Sequence, residues 1–176
     1  MAPAYDAARE SLSDANVQLT ERKSTAAALA LQAIGQDSVG PLIEALSSAN
    51  PKIRFGAAMT LEYFPRHGKD IVPALIKSLG DEDCDVRWRA ARSLGDLQAT
   101  PELSVPALVE RVRDDPDTTV RCYAITALAK FGNKAQAAIP VLAKATTDPD
   151  SSIRSYARDA LTAIDLAASK DDDPKP

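Results

Sequence analysis

The sequence predicts an all-α protein, a solenoid of about five stacked helix pairs, and three observations carry that prediction. First, an aliphatic–arginine pair recurs as Ile53-Arg54, Val86-Arg87, Val120-Arg121 and Ile153-Arg154, at spacings of 33, 34 and 33 residues, the kind of period that marks stacked repeats. Second, Asn50, Asp83, Asp117 and Asp150 stand three positions before the aliphatic residues. All four are N-cap types, whose side chains accept hydrogen bonds from the first unpaired N–H groups of a helix. Third, apolar residues follow four, eight and eleven positions after the aliphatic: Ala57, Leu61 and Phe64; Ala90, Leu94 and Leu97; Ala124, Leu128 and Phe131; Ala157, Leu161 and Ile164. That spacing keeps one stripe on one side of a helix.

The elements follow in order. Residues 1–19, with "PAYDAARESLSD", are expected to form an N-terminal capping helix. A worn copy of the repeat starts at Thr20 in "TERKSTAAALALQAIGQ", with Ala27 and Leu31 on the stripe, Lys23 in place of the aliphatic and Ser24 in place of the Arg. Terminal repeats depart in this way because one face meets water. Each later repeat opens with a first helix, in "VGPLIEAL" from Val39, "VPALIKSL" from Val72, "VPALVERV" from Val105 and "IPVLAKA" from Ile139, aligned on Leu42, Leu75, Leu108 and Leu142. Pro73, Pro106 and Pro140 are expected either in first turns, where a missing N–H costs no helical hydrogen bond, or at kinks in their helices. The small Ala of each stripe lets the next helix approach closely. The solenoid is expected over 20–167, and the apolar-poor 168–176, ending "SKDDDPKP", as a disordered acidic tail.

Composition narrows the function classes. Hydrophobic residues make up 45% of the 176-residue chain and aromatic ones 5%, which suits cores of Ala, Leu, Ile and Val. A formal charge of −4 argues against a surface that grips nucleic acid along its length. The start of the sequence lacks the apolar core of a secretory signal, and no window resembles a membrane span. Cys84 and Cys122 stand 38 positions apart without a CxxC, which fits a reducing compartment and provides neither a zinc site nor a disulfide framework. The expectation is a cytoplasmic monomer that needs no cofactor.

The V-P-x-L helix, the D-x-D turn and the V-R-x-x-A-x-x-x-L helix, over roughly 20–166, resemble the phycobilisome-lyase type of HEAT-like repeat. That resemblance implies a right-handed α-solenoid whose second helices line a concave surface. It also implies a ladder of hydrogen bonds between turn Asp and repeat Arg, here Asp81, Asp115 and Asp148 with Arg54, Arg87, Arg121 and Arg154. Ser48 stands where the second repeat would carry its turn Asp.

Deoxyhypusine hydroxylases are similar in pattern and imply an iron centre held by repeated His-Glu pairs, but His67, in "FPRHGKD", is the single histidine and one imidazole cannot build such a site. The Asp-rich turns serve as caps and ladder members. No Gly-rich phosphate loop, Ser-His-Asp ordering or Cys-His nucleophile is present. HEAT-like DNA glycosylases work with Trp, Asp and Arg in a groove; Trp88, Arg89 and Arg92 supply part of that kit on an acidic chain. No catalytic residue and no metal ligand is assigned.

At about 100° per residue, positions two and six after the aliphatic fall, with position nine, on the side of the second helix opposite the stripe, and position three lies at the edge of that side; positions two, three and six bear on binding. They read Phe55, Trp88, Cys122 and Ser155; Gly56, Arg89, Tyr123 and Tyr156; and Met59, Arg92, Thr126 and Asp159. Grouped apolar side chains on a wet face mark an interaction site, and Trp, Tyr and Arg are enriched at binding hot spots. Phe55, Met59, Trp88, Arg89, Arg92, Tyr123 and Tyr156 are therefore expected to form a surface for a partner protein or peptide. The competing reading is that the rings fold onto neighbouring repeats and extend the core. A bilin lyase or lyase subunit acting on phycobiliprotein is the alternative function that the resemblance implies.

Overall fold

Each second helix starts where its cap residue collects backbone donors. In the computed structural model, which describes residues 38–171, Asn50 accepts from the Lys52 N–H at 3.0 Å. Asp83 accepts from Asp85 and Val86, at 2.9 and 3.2 Å. Asp117 accepts from Val120 at 3.1 Å, and Asp150 from Ser152 and Ile153 at 2.7 and 3.3 Å. The described helices are α1 (Val39–Ala45), α2 (Pro51–Leu61), α3 (Gly68–Ser78), α4 (Cys84–Leu97), α5 (Pro101–Asp114), α6 (Thr118–Phe131), α7 (Ile139–Ala145) and α8 (Ser151–Asp171). They form four first-helix and second-helix pairs. The capping helix expected over 1–19 and the worn repeat from Thr20 lie outside the described residues, as does the tail beyond Asp171.

From Val39 to Asp171 the chain forms one compact unit, an all-α solenoid in which α2, α4, α6 and α8 pack side by side. The stripe forms the core: Ala57, Leu61, Phe64, Ala90, Leu94, Leu97, Ala124, Leu128, Phe131, Ala157 and Ile164 are all buried. From the first helices Leu75, Leu108 and Leu142 join them with no exposed surface. Fully burying one such Leu contributes about 1.5–3 kcal/mol, so the stripes dominate the cohesion of the stack. Leu161, on the last helix, is half-buried because no repeat follows it among the described residues.

Three local features differ from the sequence expectation. Pro73 and Pro106 lie inside α3 and α5, since both helices begin about a turn earlier than the proline pattern suggested; Pro140 is in the first turn of α7. A 3-10 segment, Gly132–Ala138, leads straight into α7. The last helix runs on to Asp171, beyond residue 168 where the unstructured tail was expected to begin. The run "AASKD" contains no helix breaker, so the backbone ladder propagates through it.

Candidate partner-binding surface

The turns between first and second helices bring an arginine of one repeat onto the aspartate of the next. Arg54 donates to the Asp81 carboxylate through Nε and Nη2, at 2.8 and 2.7 Å, a bidentate pair. Arg87 does the same with Asp115 at 3.0 and 3.2 Å, and Arg121 reaches Asp148 at 2.5 Å. Each Asp also accepts from the backbone N–H two residues on, that of Asp83, Asp117 or Asp150, which fixes the turn. Ser48 keeps that turn bond, accepting from the Asn50 N–H at 3.2 Å. Arg154 donates to the carbonyls of Asp148 and Pro149 within its own repeat. Hydrogen bonds from Arg121 and the Asp150 backbone hold the Asp148 carboxyl below the usual carboxylate range. Burial would raise Asp81, but the bonds from Arg54 and the Asp83 backbone outweigh it and leave that carboxyl lowered as well.

On the second helices the structure joins three of the expected surface residues into a row. The Phe55 ring meets Trp88 edge to face with centroids 5.3 Å apart, and Trp88 stacks on Tyr123 at 4.7 Å with planes 20° apart. All three rings are half-buried. Trp88 is further oriented by Asp85, whose carboxylate accepts its Nε1–H at 2.8 Å. Tyr156 repeats the helix position of Tyr123 on α8 and is 46% exposed.

Two of the expected surface residues are not on the surface. Met59 is 4% exposed: residues 57 to 61 of α2 are all buried, so this half of the helix is packed on every side and has no wet face. Arg89 is 1% exposed. Its guanidinium lies 5.0 Å from the Phe55 ring centroid and 4.8 Å from that of Trp88, and pairs at 3.7 Å with Glu62, the C-cap residue of α2. Arg89 therefore lies in the seam between two repeats, where cation–π attraction and an ion pair replace its hydration. Of the three residues that supply part of the DNA-glycosylase kit, Arg89 is thus withdrawn into this seam.

Arg92 remains half-exposed and pairs with Asp96 at 3.6 Å; Asp96 also accepts from Lys130 of the next repeat. Alongside the aromatic row there is thus an ionic row, Glu62, Asp96 and Lys130, near the C-terminal ends of the same helices. Sequence reasoning missed this second row. The available signal was that Asp96 and Lys130 occupy the same repeat position with opposite charge. Burial pushes the Glu62 carboxyl above its usual range, with Arg89 opposing the shift.

The site offers little for side-chain chemistry. Burial, with Asp150 nearby, pushes the Cys122 thiol up to about 11, which keeps it protonated and a poor nucleophile at neutral pH. The thiol of Cys84, an exposed residue, is raised as well, by partial desolvation and by three nearby aspartates. Among the described residues no group of three or more His, Cys, Asp or Glu is placed to hold a metal ion. No described helix is long and apolar enough to cross a membrane. On the turn side, an open cleft of about 640 Å³ runs between Leu46, Arg54, Lys77 and Asp81, and a smaller one of about 180 Å³ lies at the equivalent place beside Val112, Arg121, Lys144 and Asp148.

The chain belongs to the HEAT-repeat family, whose sequence profile matches residues 39–121 and 105–173. No curated protein sequence matches the chain. Among solved structures it is similar to an engineered protein at 27% identity, covering 73% of this chain and 63% of the other with a TM-score of 0.57. It is also similar to human deoxyhypusine hydroxylase in complex with glycerol, at 26% identity over 73% of this chain and 43% of the other, with a TM-score of 0.63. A third is the CpcE–CpcF complex of phycocyanin lyase from Nostoc, at 21% identity over 74% and 79%, with a TM-score of 0.58. The chain spans less than two thirds of the first two proteins, and its likeness to the lyase complex is one of fold.

Proposed function

We propose that this HEAT-repeat chain is a non-catalytic scaffold that docks a partner protein or peptide along the inner surface of its second helices, with Trp88 at the centre. The observation that carries this reading is the row of Phe55, Trp88 and Tyr123, three rings on three successive repeats held in fixed contact yet half-exposed. Such rings offer a large apolar area whose conformational entropy is already lost, the usual make-up of a binding hot spot. With Met59 and Arg89 withdrawn into the packing, the proposed surface consists of Phe55, Trp88, Tyr123 and Tyr156, with Arg92 beside them. Two of the structural neighbours are a hydroxylase and a lyase complex. The single histidine of this chain does not support the hydroxylase chemistry that the resemblance implied, and fold likeness alone does not favour bilin handling over docking.

A photo-reactive phenylalanine analogue in place of Tyr156 tests the reading without disturbing the stacked rings. It should capture a discrete partner from native extract, whereas the same analogue in place of Glu110, exposed on α5, should capture none. Capture at position 110 alone would place the working surface on the opposite side. Mixing the chain with a bilin and seeing its absorbance change would favour the lyase reading instead.

A further inference from the structure

The two turn-side clefts differ in charge. The larger is lined by two cations, Arg54 and Lys77, and two carboxylates, Asp81 and Glu82. The smaller is lined by three cations, Arg113, Arg121 and Lys144, against the single carboxylate of Asp148. Arg113 donates to Asp114, an exposed residue outside the lining. Lys144 is exposed, and its ammonium has no partner among the described residues. The state of Arg121 follows from a slip in the repeat. Asp81 and Asp148 stand six positions after Leu75 and Leu142, but Asp115 stands seven after Leu108. The added residue is taken up by α5, which runs to Asp114, directly before Asp115, whereas α3 and α7 stop at Ser78 and Ala145. Arg54, Arg87 and Arg154 each donate through Nη1 to two carbonyls in the turn of their own repeat. Arg121 does not: its Nε donates to the Val112 carbonyl of α5 at 3.0 Å and its Nη2 to Asp148. Its Nη1 is left without an acceptor among the described residues, on a side chain that is 21% exposed where those of Arg54 and Arg87 are 8% and 12%.

We propose that the smaller cleft is a binding site for a phosphate dianion, free or esterified to a side chain of a partner, held by Arg121 through Nη1 together with Lys144 and Arg113. Charge selects the ligand class. The three lining cations exceed the lining carboxylate by two, which the charge of a phosphate monoester, about −1.5 to −2 at neutral pH, balances and a single carboxylate does not. Chemistry agrees with charge, because a guanidinium stays protonated and its N–H donors bond most strongly to oxyanions, while an ammonium binds phosphate as a point charge. A cleft of about 180 Å³ has room for one phosphoryl group. The larger cleft is the internal control: its cations are matched one for one by carboxylates, and the Nη1 of Arg54 is taken by the carbonyls of Ser48 and Ala49. The site lies on the turns and shares no residue with the proposed docking row, so either reading can fail while the other stands.

The test is a nuclear magnetic resonance titration of the full nitrogen-labelled chain at about pH 7.5, where phosphate is mostly dianionic, with chloride keeping the ionic strength constant. Three probes are used: inorganic phosphate, a short peptide of otherwise neutral residues carrying one phosphoserine, and the same peptide unphosphorylated. The expected result is a saturable shift of the Arg121 Nε–H and of the backbone amides around Val112, Lys144 and Thr147 with at least one phosphate-bearing probe, and none with the unphosphorylated peptide. Saturation by inorganic phosphate alone identifies a free anion as the ligand, and saturation by the phosphopeptide identifies a partner's side chain. Arg113 and Lys144 are both exposed, so the double variant Arg113→Gln, Lys144→Gln should keep the fold and weaken binding by at least about tenfold. Lys77→Gln, in the larger cleft, should bind like the parent. Shifts that fail to saturate with either phosphate-bearing probe, binding that the double variant retains in full, or binding that Lys77→Gln weakens as much would overturn the proposal.

Discussion

Gly95 of α4 lies so close to Ala127 of α6 that a Cβ at position 95 would stand 2.7 Å from the Ala127 Cα and 2.8 Å from its Cβ. Here two second helices touch almost backbone to backbone, and both residues are buried. Gly95→Ala should therefore destabilise the chain by about 1–3 kcal/mol through overpacking. Gly56→Ala, inside α2 with nothing within 4 Å, should stabilise by about 0.5–1 kcal/mol. Urea melts of the two variants check the opposite signs.

Asp115 shows what the ladder contributes. Its carboxylate is fully buried and holds Arg87 at 3.0 Å, Arg111 at 3.6 Å and the Asp117 N–H at 3.0 Å. Asp115→Ala strands two arginines and a turn donor, and should cost about 3–5 kcal/mol. Asp114→Ala, which breaks the exposed pair with Arg113, should cost less than about 1 kcal/mol. Equal losses in denaturant titrations would deny the ladder its structural weight.

The lowered carboxyls of Asp81 and Asp148 give an acid limit. A group whose folded pKa lies below its unfolded one contributes stability above the unfolded value, and that stability is lost as pH falls through the folded value. Both carboxyls start from 3.8, so thermal melts should show the loss setting in near that pH and deepening below it. Asp148→Asn should be less stable at neutral pH and flatter in this acid range than the parent.

Gln98 ends α4 in the left-handed region, with φ 48°. A side chain there is strained where glycine is not. Gln98→Gly should raise stability by up to about 1 kcal/mol, part of the relief being offset by the entropy of the unfolded chain. Thermal melts read this directly, and a lower melting point would contradict it.

The repeat geometry was legible because it rests on local rules. Caps such as Asp117 and stripe residues such as Leu128 are dictated by their own helix, and four copies at one period leave little freedom in the register. The inner surface was legible only in part. Trp88 and Tyr123 are where helical rotation places them, but that rotation does not say how deeply a neighbouring helix covers a position. Arg89 went into the seam because Phe55 and Glu62, 34 and 27 positions earlier, happened to supply a ring and a counter-charge. Met59 was lost from the surface because α2 is packed all round near its end. The strained turn at Gln98 left no glycine or asparagine to mark it.

The central claim is that Trp88 anchors a partner on the inner surface, and titration calorimetry of one captured partner against three folded chains tests it most directly. Trp88→Ala should lose about 2 kcal/mol of binding free energy, roughly thirtyfold in affinity, as a central aromatic anchor does. Glu110→Ala, on α5, should bind like the parent. A Trp88→Ala chain that keeps full affinity while Glu110→Ala loses it would contradict the account and move the working surface to the first helices.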